Sequence, residues 1–565
     1  MTAARHFKFW PSYAANDLHA PATNLYYNVE VSANRYPDKP FAVFYDTPVT
    51  FKEFHDQTRR IAGYLEQRCG VRKGDRVMLL MQNSPQFMLG YYGILRANAV
   101  VVPLNPMNLT QEILKFATDC GSSTLLVSQE LYSRVEPLIK SGEIKQAIVA
   151  AYSDYLKEPT ALSVPDFISA PRAEIQEPGV ALWRDVLDAD LSPGPLTAGA
   201  DDLCVMPYTS GTTGQPKGVM HSHRTVMHTT AAQMVWFAVQ PEMTLLAVAP
   251  MFHVTGMQGG MNGPMYIGCT MVLLPRWDRD TAARCVDRYK VTSWTAVPTM
   301  IQDFFLNPDL GKYDISSIRR LSGGGAAMPA AVAQRLRGMG VTYIEGYGLT
   351  ETIAATHINP MERPKAQCLG IPIFGVESRV VDPATLEELP PGETGEILIH
   401  GPQLMVGYWN KPKDTAEVFV ELDGKRFFRS GDLGKMDEDG YFFIVDRLKR
   451  MINASGFKVW PTEVENLMYQ HPAVQEACVI AAKDAHRGET VKVVIVLKPA
   501  FVGKASAQQI IDWAREQMAA YKAPRLVEFV EALPKSGSGK IMWRELQERE
   551  NAAEAKRSQE GRVTS

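Results

Sequence analysis

Neither sign of charge predominates in this 565-residue chain: 59 Lys and Arg stand against 62 Asp and Glu, a formal net charge of −3. Without a basic field to hold a phosphate backbone, nucleic-acid binding is not expected. Cysteine is sparse. The 7 residues (Cys69, Cys120, Cys204, Cys269, Cys285, Cys368 and Cys478) are scattered with no C-x-x-C pair, which points to buried free thiols in a reducing compartment. Secretion is not expected either. Arg5 and Lys8 lie within Met1–Asn16 but no apolar run follows them, so a cytoplasmic protein is expected. One stretch, Met243 to Pro275, lacks Asp, Glu, Lys and Arg and is long enough to suggest a membrane span. Pro250, Pro264, Gly256, Gly259, Gly260, Gly263 and Gly268 break it up. The expectation is two buried strands, Leu245–Ala249 and Thr270–Leu274, around a loop-rich pocket wall, with no spanning helix. No internal repeat is apparent.

What is present is an ordinary globular composition, 45% hydrophobic and 21% charged. The length exceeds what one core serves, so two or more domains are expected. Helical periodicity in Phe51–Leu65 and Pro85–Ala97 alternates with apolar runs at Val77–Met81, Ala99–Leu104, Leu203–Tyr208 and Thr292–Val297. A further helix is expected after Ser222. This βαβ repetition predicts an α/β fold, a large N-terminal domain of several subdomains built on largely parallel sheets. The last quarter changes character. Ala477–Ala481, Val491–Lys498 and Val527–Val530 read as strands and Ala507–Met518 as a helix, which suits a small α+β domain. Ser163–Pro195 reads as a surface excursion and Gln547–Ser565 as a frayed, charged tail.

The strongest signal follows the strand Leu203–Pro207: Tyr208-Thr-Ser-Gly-Thr-Thr-Gly-Gln-Pro-Lys-Gly218. Gly211, Gly214 and Gly218 let backbone amides converge on an anion. Thr209, Ser210, Thr212 and Thr213 add hydroxyl donors, and Lys217 adds a mobile positive charge. A polyphosphate is the ligand these suit. The register G-x-x-x-x-G-K-[ST] does not occur here, and in Ser536-Gly-Ser-Gly-Lys540 the lysine is followed by Ile541, so a P-loop kinase or GTPase is disfavoured.

Tyr208–Gly218 resembles the signature of the adenylate-forming superfamily, which includes acyl-CoA synthetases, nonribosomal-peptide adenylation domains and firefly-type luciferases. The resemblance runs in order from Phe51 to about Arg544. It implies an N-terminal adenylation domain (1–446), a hinge (447–449) and a small mobile C-terminal domain (450–565). Leu321-Ser-Gly-Gly-Gly-Ala-Ala-Met-Pro329, with Gly324 and Gly325, resembles the loop shared by the adenine and acyl pockets. Tyr347-Gly-Leu-Thr-Glu351 matches the next motif: Tyr347, with Glu345 and Gly346 before it, would contact the nucleotide. Thr350 would bond the α-phosphate and Glu351 would coordinate Mg²⁺, a hard cation suited to oxygen ligands. Asp432 in Ser430-Gly-Asp-Leu433 would take the ribose hydroxyls. In Asp446-Arg-Leu-Lys-Arg-Met451, Arg447 would contact the nucleotide and Lys449 would be the pivot. Gly456 corresponds to a glycine lining the coenzyme A channel, and Lys540 to the catalytic lysine.

The implied reaction uses ATP to adenylate a carboxylic acid and then passes the acyl group to coenzyme A. The carboxylate is itself the nucleophile, so the catalyst's task is positional and electrostatic. Acetate-type members carry a Trp where this chain has Gly348, which implies room for a longer acid. Pro250-Met-Phe-His-Val-Thr-Gly256 resembles the aromatic-plus-histidine motif of acyl and aryl ligases, with His253 gating the carboxylate. Val254 and Met257 would line the acyl pocket. Met251, Met257, Met261 and Met265 read equally as an adaptable tunnel or as ordinary core. A medium- or long-chain fatty acid is the expected substrate. The alternatives are an aryl or short functionalised acid, a luciferase-like oxygenase, transfer to a carrier protein in place of coenzyme A and, from another class, a non-catalytic acyl-nucleotide sensor. Intact Glu351, Asp432 and Lys540 weigh against the last. The oligomeric state is open, a homodimer included.

Overall fold

The structure, a computed structural model, describes residues 5–209, 216–324, 328, 330–454, 457–484, 488–536 and 541–563. The chain packs as two compact units, one of residues up to 377 with 399–428 and one of 378–398 with 429–565. This division differs from the expected domains of 1–446 and 450–565, since 378–398 and 429–446 pack with the C-terminal residues.

The first unit contains two large sheets. One runs in the order Ile371–Pro372, Ala354–Ile358, Thr342–Leu349, Arg320–Gly323, Ser293–Thr295, Thr244–Ala247, Thr270–Leu273, Pro40–Phe44, Thr47–Thr50. From Thr342–Leu349 to Pro40–Phe44 every neighbour is parallel. The other places Gly407–Tyr408 and Lys217–Ser222 beside Leu203–Val205, Val100–Pro103, Arg76–Leu80, Thr124–Ser128, Gln146–Ala150 and Val180–Leu182, the last six parallel. Central strands such as Val100–Pro103 and Thr124–Ser128 are buried on both faces, as parallel sheets require. Local chemistry starts the covering helices. Thr50 and Glu53 form a reciprocal capping box on Phe51–Gln67. Ser84 caps Pro85–Arg96 with proline at its first position, and Ser222 caps His223–Trp236.

Three expectations change. Ser163–Pro195 is not merely a surface excursion: Val180–Leu182 joins the sheet edge and Trp183 is buried. The stretch between Thr244–Ala247 and Thr270–Leu273 is helical rather than loop-rich: Val254–Met257, a π turn at Gln258–Asn262, then Gly263–Ile267. Fully buried Gln258 and Asn262 hold that turn, the first bonded by Thr230 (2.8 Å), the second by Tyr92 (2.9 Å). Among the described residues no helix is long and apolar enough to cross a membrane.

In the second unit, Val474–Asp484 and Gly488–Leu497 form a long antiparallel pair, flanked by Ile452–Ala454 and Phe457–Val459 and, in parallel, by Leu526–Phe529. The third correction lies here. The expected frayed tail is part of a helix, Trp543–Val563. Its polar residues are used for attachment. Gln547 bonds both the backbone N–H (2.9 Å) and the carbonyl (2.8 Å) of Ala481, Glu554 accepts from the Lys483 amide and Glu550 pairs with Lys492.

Candidate active site

The glycine-rich segment closes a hairpin. Thr209 pairs with Lys217 and Tyr208 with Gly218 at its neck, while Ser210, Gly211, Thr212, Thr213 and Gly214 lie outside the described residues. The chain leaves the loop as a strand, Lys217–Ser222, and turns helical only at His223. A P-loop instead enters its helix directly, so the topology agrees with the sequence in setting that class aside. The neck is anchored away from the tip: the Tyr208 hydroxyl donates to Asp119 Oδ2 (2.6 Å), and Trp409 Nε1 donates to the Asp119 carbonyl (3.0 Å).

Lys217 is not the freely mobile charge expected from its setting among glycines. It is 6% exposed, ion-paired with Asp414, and 5.0 Å above the Tyr408 ring. Its ammonium depresses the Asp414 pKa. Tyr408 in turn donates to Glu351 Oε1 (2.8 Å), and burial, reinforced by Glu351, keeps this phenol protonated. Thr350 begins a short 3-10 turn. Its carbonyl accepts from His221 Nε2 (2.8 Å), and burial lowers the pKa of His221 to about 4, so the imidazole is neutral and donates that bond. Lys217 and His221 stand on one strand. That strand thus carries both a buried cation and the group that fixes the backbone of the Thr350–Glu351 pair.

Gly324 follows the strand Arg320–Gly323, which is parallel to Thr342–Leu349 with Gly323 opposite Glu345. A Cβ on Gly324 would lie 2.5 Å from the Gly346 carbonyl, so only glycine permits this approach. Gly325 lies outside the described residues. The Glu345 carboxylate, whose pKa burial raises, accepts from the amides of Met328 (2.7 Å) and Cys368 (3.0 Å), tying two loops beside the strand. Tyr347 is largely buried with its ring 5.7 Å from that of His357 on the paired strand.

His253 caps the helix Val254–Met257, its Nδ1 accepting from the Thr255 amide (3.3 Å). Val254 is buried, and Met251, Met257, Met261 and Met265 are all fully buried within the main core cluster. Of the two readings of these methionines, this packing is the core one. Gly348 has a reason of its own to be glycine: a Cβ there would stand 1.7 Å from the Ala354 carbonyl oxygen on the neighbouring strand.

In the second unit Asp432 and Arg447 face each other across an antiparallel pair and are ion-paired (2.8 Å). Ser430 donates to the Ile397 carbonyl (2.6 Å) and accepts from the Asp432 amide (3.0 Å), which fixes the turn before the aspartate. Lys449 lies in the 3-10 turn Leu448–Arg450. Gly456 and Lys540 are outside the described residues. Sequence reasoning missed His221, Tyr408 and Asp414. The first follows the phosphate loop by three residues; the others sit in Gly407-Tyr-Trp-Asn-Lys-Pro-Lys-Asp414, where turn residues enclose an aromatic pair.

Residues 29–409 match the family model described as AMP-binding enzyme, and residues 463–540 match the AMP-binding enzyme C-terminal domain. The chain belongs to the AMP-binding enzyme family. Relatives span its full breadth. A long-chain-fatty-acid–CoA ligase of Bacillus subtilis (strain 168) is 34% identical over 554 residues, 96% of this chain and 97% of that protein. A feruloyl-CoA synthase of an Amycolatopsis species is 34% identical over 507 residues, covering 89% of this chain and 94% of the relative. Among solved AMP-binding structures, the anthranilate CoA ligase AuaEII in complex with anthranoyl-AMP superposes with a TM-score of 0.80 at 27% identity, over 94% of this chain and 98% of that one. The mixed α/β architecture, a large N-terminal part and a smaller C-terminal one, is that of the family.

Proposed function

We propose that this AMP-binding enzyme ligates a medium- or long-chain fatty acid to coenzyme A through an acyl-adenylate, converting ATP to AMP and pyrophosphate. The observation that carries the reading is the junction in the first unit where Tyr408 connects Lys217 to Glu351 while His221 fixes Thr350. A cation and a carboxylate set a tyrosine apart suit a triphosphate accompanied by a hard metal ion.

Lys217 and the loop hydroxyls hold the outer phosphates, Thr350 bonds the α-phosphate, and Tyr347 with Gly324 borders the adenine. Asp432 takes the ribose hydroxyls and Arg447 contacts the nucleotide. Among the described residues no group of three or more His, Cys, Asp or Glu could cage a metal. One carboxylate, Glu351, fits Mg²⁺, which is commonly held by one or two carboxylates plus substrate phosphates; when bound it offsets the phosphate charge. The acid's carboxylate oxygen attacks the α-phosphorus, pyrophosphate leaves, and Lys540 neutralises the charge growing between the two anions. The C-terminal part then turns about Lys449, bringing Gly456 to the pantetheine channel, and the coenzyme A thiol, as thiolate, displaces AMP.

The fatty-acid assignment draws on the Bacillus relative, a long-chain-fatty-acid–CoA ligase. The feruloyl-CoA synthase relative keeps an aryl acid as the competing reading. Pyrophosphate release with acetate, octanoate, palmitate and benzoate, each with and without coenzyme A, decides between them: benzoate outrunning octanoate and palmitate overturns the fatty-acid choice. Lys540→Ala is expected to lose on the order of 10²–10³-fold in adenylation, the scale of one stabilising donor. It should still form thioester from supplied acyl-AMP; an equal loss in both half-reactions removes Lys540 from the role given to it.

A further inference from the structure

Lys217 reaches the site with its charge already compensated. Its side chain is 7% exposed and paired with Asp414, whose own side chain is 32% exposed. An ammonium so enclosed needs a counter-charge whenever phosphate is absent, because a buried ion is stable only when paired. Asp414 does not reach it from a loose arm. It lies in the first turn of the helix Pro412–Glu417. Thr415 of that helix accepts from the Tyr408 amide (2.9 Å) and donates to the Lys411 carbonyl (2.9 Å). The Trp409 amide donates to the Gly218 carbonyl (2.8 Å), joining this segment to the strand that bears Lys217. The two partners are unequal in one respect. Asp414 can turn to water when displaced, whereas Lys217 cannot. A triphosphate, with several negative charges against one, therefore replaces the carboxylate without stranding either ion.

We propose that Asp414 is a positioning residue for adenylation, holding the Lys217 ammonium paired and aimed between turnovers and yielding it to the ATP phosphates. This rests on the reading of Lys217 as the phosphate-binding lysine, so the test separates the two. Initial rates of acid-dependent pyrophosphate release at varied ATP would be measured for wild type, Lys217→Ala, Asp414→Asn, Asp414→Glu and the Lys217→Ala/Asp414→Asn double variant, each checked for folding by thermal melting. Asp414→Asn is expected to raise the KM for ATP about ten-fold, the effect of one misdirected charge-assisted bond, while kcat stays within about three-fold. Asp414→Glu should recover most of the loss. In the Lys217→Ala background the Asn substitution should change KM by less than about two-fold, since the group it positions is gone. An unchanged or lowered KM in Asp414→Asn overturns the proposal, as does an equal loss on both backgrounds, which would make Asp414 a support of its own helix. A Lys217→Ala enzyme with normal KM for ATP would instead remove the phosphate-lysine reading.

Discussion

Gly348→Ala isolates a single steric contact. The strand Thr342–Leu349 pairs antiparallel with Ala354–Ile358, Gly348 opposite Ala355 and Leu349 opposite Ala354, with a register shift between Tyr347 and Gly348. The added methyl would lie 1.7 Å from the Ala354 oxygen, 2.3 Å from its carbonyl carbon and 2.8 Å from the Ala355 Cα. That is roughly 2 Å short of ordinary contact, and all three obstacles are backbone, so no rotamer relieves it. Parting the strands sacrifices about two ladder bonds at roughly 1 kcal/mol each and adds an overpacking cost of about 1–3 kcal/mol, roughly 3–5 kcal/mol in all. The melting temperature of the first unit should fall by roughly 4–6 °C. Gly338→Ala, where a Cβ meets nothing within 4 Å, is the control and should stay within about 0.5 kcal/mol of wild type. Differential scanning calorimetry with urea unfolding reads the loss, and the acid panel reads selectivity. A Gly348→Ala protein of normal stability that merely favours shorter acids would refute this reasoning and restore Gly348 as simple room for substrate.

Further outcomes follow from the packing. Burial holds His6, His221 and His223 at pKa values of about 4 and His357 at about 3, against 6.5 when unfolded. The unfolded chain then binds more protons below 6.5, so stability is fully present above that pH and declines as pH falls toward 4 and 3. Melting curves across pH 7 to 4 should show it, and His221→Asn should flatten the decline; an unchanged slope contradicts a buried neutral His221. Deleting residues 547–565 removes Gln547, Glu550 and Glu554 from Ala481, Lys492 and Lys483. It should destabilise the second unit by on the order of 2–4 kcal/mol, as loss of several partly buried polar contacts does. Hydrogen exchange along Val474–Asp484 would quicken; unaltered exchange there refutes the attachment.

The parallel sheets were legible because double-sided burial writes itself as unbroken apolar runs: Val77–Met81 and Ala99–Leu104 correspond to the strands Arg76–Leu80 and Val100–Pro103. The family was legible because the glycine- and threonine-rich motif Tyr208–Gly218 falls within the matched residues 29–409. Less visible were elements stabilised by partners distant in sequence. The helix Trp543–Val563 has a polar composition typical of a tail, and only its contacts with Ala481, Lys483 and Lys492 make it a packed element. Glycines at 256, 259, 260 and 263 argued for loop, yet the π turn is secured by a buried network through Gln258, Asn262, Thr230 and Tyr92 that no local pattern announces. Gly348 looked like an opening for substrate. In the folded chain it is also a close approach between strands, and the sequence carries no mark of which strand lies alongside.

Tyr408 and Trp409 are consecutive, and each reaches a different partner: one the Glu351 carboxylate, the other the Asp119 carbonyl. Tyr408 ends the strand Gly407–Tyr408 and Trp409 opens the turn that follows, so inserting or removing one residue at this point would displace both rings and release both loops together. A library of single-codon insertions and deletions should therefore show a gap in viability across Gly407–Lys411 far deeper than any point substitution there produces.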